Sequence, residues 1–106
     1  MYNYYYMKTD CRSNCWDTYE ILDFLQSFDF LTYDGKGSFH SQKPFLDITL
    51  LKVKDINSWN SNDFNEELTN YISIVTSCFS ENEIMIKEIF KELELFLGWR
   101  ICPDNI

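Results

Sequence analysis

The sequence predicts an α+β fold: a small antiparallel β-sheet with about three helices packed on one face. Three observations carry this reading. Phe45–Lys54 alternates apolar and polar side chains as a strand does, Asp34-Gly35 sits between two short apolar runs as a hairpin turn does, and apolar residues recur at helical spacing both before and after them. The 106 residues fit a single globular domain spanning 1–106. An apolar fraction of 45% with 18% aromatics supplies one packed core without covalent staples.

In chain order, the aromatic run at residues 2–7 is a short first strand. Ser13 or Asn14 then caps a first helix over 14–27, with Asp17 in its first turn and Cys15, Tyr19, Leu22 and Leu25 on its apolar stripe. Residues 30–33 and 38–41 are hairpin arms around Asp34-Gly35-Lys36-Gly37. In the next strand, 45–54, Leu46, Ile48 and Leu50 share one face and Asp47 and Thr49 the other, which leaves one side of the sheet wet. After a polar loop at 57–62, the residues Phe64, Leu68, Tyr71, Ile72, Val75 and Phe79 space as a second helix over 62–77. The β-branched run Ile72–Thr76 also suits a strand. The last helix opens on a Ser80–Glu83 capping box, carries Ile86, Ile89, Phe90, Leu93 and Leu97 as its stripe, and stops at Gly98.

Charge narrows the function classes. The net charge is −8, and it is concentrated after residue 54, where ten acids face three bases. Such a surface repels nucleic acid and anionic lipid and attracts basic proteins. No apolar run is long enough to span a membrane, and neither a secretory signal nor an N-x-Ser/Thr acceptor is visible, so the expected location is cytoplasmic and the four cysteines are expected as reduced thiols.

No catalytic constellation stands out. His40 is the only histidine, and Ser38 and Ser41 are its nearest sequence candidates for a nucleophile. Cys11 and Cys15 are four apart, but Cys78 and Cys102 do not form the second close pair that structural zinc takes. Phosphate-binding and nucleophile-elbow glycine motifs are absent, and Asp29–Gly37 does not match a calcium loop. The expectation is a binding protein rather than an enzyme, with no cofactor and no metal.

The positive signal is acids beside aromatics. Trp59 lies in the polar loop, and Asp63, Glu66 and Glu67 follow it. Glu88 and Glu92 stand four apart on the last helix, a like-charge pair that a cationic partner would relieve. Expected partner contacts are therefore Trp59, Asp63, Glu66, Glu67, Glu88 and Glu92. Size, acidity, the strand Phe45–Val53, the stretch Trp59–Leu68 and the closing Phe96-Leu97-Gly98-Trp99 resemble small bacterial immunity proteins of contact-dependent and other polymorphic toxin systems. That resemblance implies a cytoplasmic inhibitor that binds a cognate basic toxin, often a nuclease, and blocks its active site. A phage-type inhibitor of a host nuclease or CRISPR effector, and a small cysteine-based metal-binding domain, are the alternatives. The partner is expected to be a basic protein, with no nucleic acid and no membrane. The chain itself is expected as a monomer or weak homodimer, Tyr2, Tyr4, Tyr5 and Tyr6 being one candidate dimer edge.

Overall fold

In the computed structural model, which describes residues 2–9, 15–42, 45–52, 64, 66–77 and 83–103, two-residue alternation builds the sheet. The strands are β1 (Tyr2–Lys8), β2 (Trp16–Asp17), β3 (Thr32–Gly35), β4 (Ser38–Gln42), β5 (Phe45–Leu51), β6 (Leu68–Thr69), β7 (Tyr71–Ser77) and β8 (Ile101–Pro103); the helices are α1 (Thr18–Gln26) and α2 (Glu83–Leu97). Six strands form one antiparallel sheet in the order β3-β4-β5-β7-β1-β8, and β2 pairs with β6 separately. The architecture is thus α+β with an antiparallel sheet, as expected, but with two helices among the described residues instead of about three.

The missing helix is the correction. Residues 71–77, placed in a second helix by their i,i+3/i+4 spacing, form the strand β7. The competing period is the alternation of Ile72, Ile74 and Thr76, all buried, with the more accessible Ser73, Val75 and Ser77. Branched Ile, Val and Thr lose rotamer freedom in a helix and pack well on a pleated surface, so period two prevails. β7 lies between β5 and β1, with Ile48 opposite Ile74 and Ile74 opposite Tyr5, and with Leu50 opposite Ile72 and Ile72 opposite Met7.

These rows make one apolar face, and both helices lie on it. Ile21, Leu22 and Leu25 of α1 and Ile89, Leu93 and Leu97 of α2 join Met7, Phe39, Leu46, Ile48, Leu50, Ile72 and Ile74 in a single core. Burying one such side chain contributes about 1.5–3 kcal/mol. A ring stack of Phe24 on Phe96, with centroids 4.4 Å apart, ties α1 to α2, and Trp16 packs beside Phe96 and Trp99. No described helix covers the other face, which carries Tyr4, His40, Asp47, Thr49, Ser73 and Val75.

The termini of the helices follow from local chemistry. α1 begins later than expected because Asp17, not Ser13 or Asn14, is its cap: the Tyr19 N–H donates to Asp17 Oδ1 over 2.9 Å. The helix stripe is Thr18, Ile21, Leu22 and Leu25, and Tyr19 is turned outward. α2 ends as expected at Gly98, whose φ of +71° and N–H bond to the Glu94 carbonyl close the last turn. Ser80 of the expected capping box and the polar loop 57–62 lie outside the described residues. β1 is an inner strand over part of its length: β7 runs along one side of Tyr2–Lys8, and Tyr5, Tyr6 and Met7 pair with β8 on the other. No described helix is long and apolar enough to cross a membrane.

The hairpin turns at Lys36-Gly37, the second half of the expected Asp34-Gly35-Lys36-Gly37 turn and two residues after its Asp-Gly pair, with φ of +52° and +79°, and a register shift between Tyr33 and Gly35 precedes it. A side chain on Gly37 would place Cβ 2.5 Å from a Phe64 ring carbon, whereas at Gly35 (φ +91°) nothing lies within 4 Å. Gly35→Ala should therefore cost about 1–2 kcal/mol from backbone strain alone. Gly37→Ala should lower the melting temperature further, because it must also displace Phe64. Thermal denaturation of both variants checks the order.

Candidate functional site

The turn of the hairpin meets the start of α1 at a cleft of about 400 Å³ lined by Tyr19, Leu22, Tyr33, Lys36, Phe64 and Glu66. Its walls are set by the fold. Leu22 points inward because it belongs to the α1 stripe, while Tyr19, one position after the first stripe residue Thr18, is 60% exposed. Tyr33 packs its ring against Phe39 at 4.8 Å, and its hydroxyl accepts the Gly37 N–H at 3.1 Å. Phe64 lies over the bare face of Gly37, so the glycine that makes the turn also admits the cleft wall. The Leu50 N–H donates to the Gly37 carbonyl at 2.9 Å and anchors the hairpin to β5.

One acid, Glu66, and one base, Lys36, line this cleft, and further acids stand on the chain segments that meet beside it. The Thr18 N–H donates to the Glu67 carbonyl at 3.0 Å, Asp17 pairs with Leu68, and the buried Thr18 and Thr69 hydroxyls share a hydrogen bond of 2.8 Å. These bonds hold the segment Glu66–Thr69 against the first turn of α1. Asp17, Glu20, Glu66 and Glu67, on the two segments so joined, are all exposed. Aromatic rings with carboxylates beside them suit a cationic side chain, which lays its methylenes along the rings and its charge at the acids.

The expected contacts divide in the structure. Glu66 lines the cleft, and Glu67 follows it with its carbonyl bonded to the start of α1. Glu88 and Glu92 are exposed on the outer face of α2, and Trp59 and Asp63 lie outside the described residues. The sequence reading did not bring Asp17, Tyr19 and Glu20 together with Glu66 and Glu67. Asp17 reads as a favourable first-turn charge, and Tyr19 reads as part of the apolar stripe; the stripe anchored on Thr18 was the signal that would have turned Tyr19 outward. Glu94, which helix capping does not explain, serves the chain path: its Oε2 accepts the Ile101 N–H at 2.9 Å and steers the backbone from α2 into β8.

A second group of ionisable residues lies on the uncovered sheet face. His40 Nδ1 bonds Asp34 at 2.6 Å, both side chains being about 40% exposed, and Asp47 stands opposite His40 on β5. Ser41, facing Leu46, is buried on the core side of β4, away from His40. Burial pushes the Asp47 carboxyl above its ordinary range; His40 offsets part of this and Asp34 adds to it. Cys15 and Cys102 are free thiols, Cys11 and Cys78 lie outside the described residues, and no described group of three or more His, Cys, Asp or Glu is arranged to hold a metal ion.

Comparison of the chain with protein-family models, curated proteins and solved structures found no match.

Because the folded-state pKa of Asp47 lies above its unfolded value, ionised Asp47 opposes folding at neutral pH, and this cost disappears once the pH falls below the unfolded value of about 4. Asp47→Asn should therefore melt higher than the wild type at pH 7 and lose that advantage near pH 4. Melting curves across that range check the sign.

Proposed function

We propose that this chain is an immunity-type inhibitor that acts in the cytoplasm and neutralises a cognate basic toxin, a nuclease, by covering its active site. The observation that carries the reading is the junction of two segments bearing the exposed acids Asp17, Glu20, Glu66 and Glu67 beside an aromatic-walled cleft that Glu66 lines, on a chain of net charge −8. A nuclease must bind phosphates, so its active site is rich in Arg and Lys. An inhibitor that offers carboxylates at phosphate-like positions competes for those groups.

The mechanism is stoichiometric. The negative field steers the toxin inward and raises the association rate. One toxin Arg or Lys then enters the cleft between Tyr19 and Phe64 and reaches Glu66, where loss of water slows release. Trp59 and Asp63 are further proposed contacts on the sequence alone. Glu88 and Glu92 on α2 contribute to the steering field and are not required at the cleft.

A pull-down from the source cell, followed by titration of the captured protein's nuclease activity, tests the proposal. A basic nuclease inhibited at one-to-one stoichiometry is expected. Glu66→Lys with Glu67→Lys should slow association about tenfold or more at low salt and flatten its salt dependence. Tyr19→Ala should speed dissociation while leaving the melting temperature nearly unchanged, because the side chain is exposed. Unchanged kinetics in both variants would remove the cleft from the interface.

A further inference from the structure

The outer face of α2 carries a pattern that neither the core nor the cleft uses. Ile89, Leu93 and Leu97 turn inward, with Ile86, Phe90 and Phe96 beside them. Opposite them, at 100° per residue, one ridge runs through Ile84, Glu88, Lys91 and Leu95. Ile84 is 75% exposed and Leu95 70%, although both are large and aliphatic. Glu88 and Lys91 make no ion pair with each other or with another described residue. The ridge has spacing 4, 3, 4, the repeat of a helix seam made to meet another helix.

We infer that this ridge is the interface between two copies of the chain, paired antiparallel through α2. The ridge is self-complementary under a two-fold rotation. An axis between residues 89 and 90 sets Ile84 of each copy against Leu95 of the other, and Glu88 of each against Lys91 of the other. Every position on the ridge thus meets its complement: apolar meets apolar at both ends, and acid meets base in the middle. A parallel pair would instead place Glu88 on Glu88 and Lys91 on Lys91, so the charges select one direction. The antiparallel arrangement also opposes the two helix dipoles favourably.

The contact is short. The ridge spans about 16 Å of helix, less than a standard interface needs, so the dimer is weak and forms at high protein concentration. It also gives Glu88 a role separate from toxin binding: a copy paired through α2 keeps its α1 cleft.

Sedimentation equilibrium up to about 1 mM protein tests the inference with surface variants of the whole chain. The wild type should show a concentration-dependent dimer. Glu88→Lys and Lys91→Glu should each weaken it about tenfold, since each turns two attractive contacts into two repulsive ones. The double variant Glu88→Lys/Lys91→Glu should dimerise again. An equimolar mixture of the two single variants should form a mixed dimer tighter than either variant forms alone. A wild type that stays monomeric throughout, a dimer indifferent to both single changes, or failure of both the double variant and the mixture to restore association would each overturn it.

Discussion

Ile72, Ile74 and Thr76 on β7 must all face one way, and this constraint organises the molecule. A strand has a period of two, so sliding β7 by one residue would exchange its buried side chains for Ser73, Val75 and Ser77. The register against β5 and β1 is therefore fixed by burial. Once it is fixed, Leu46, Ile48 and Leu50 share that face with Met7 and Tyr5, and the helices have one apolar surface to cover. α1 and α2 then meet through Phe24, Phe96 and Trp16 over the same sheet.

The cleft is a consequence of that order. The core holds α1 down by Ile21, Leu22 and Leu25, which leaves Tyr19 outside. The hairpin is held by Gly37 to Leu50 on β5, and its glycine leaves room for Phe64. The pairing of β2 with β6 brings the acids before β6 to the acids at the start of α1. Residues far apart in the chain thus meet beside the cleft without any of them belonging to the core. Substitutions at these exposed positions can accordingly be made while the fold persists.

Much of the fold was legible in the sequence because the relevant signals are local. The alternation at 45–51, the glycines of the hairpin and the stop at Gly98 each act within a few residues. Residues 64–77 misled because their apolar side chains satisfy both a helical and a two-residue period; the choice depends on β5 and β1, which flank β7 and are remote in sequence. β2, β6 and β8 are two or three residues long and owe their existence to a partner strand, so no pattern inside them announces them. The site was half legible for the same reason. Glu66 and Glu67 stand out as acids near an aromatic, but their grouping with Asp17 and Glu20 exists only after β2 and β6 pair. His40 and Asp47 likewise become neighbours only through strand register.

Binding of a basic partner at the α1 cleft is the feature on which the proposed function turns. Amide hydrogen exchange of the chain, free and bound to the captured basic protein, reads the contact surface directly. Slowed exchange is predicted at Asp17–Glu20, at Tyr33–Gly37 and at Glu66–Leu68, with the uncovered face of β4 and β5 unchanged. Protection confined to that sheet face, with the α1 cleft exchanging as in the free chain, would contradict binding at the cleft.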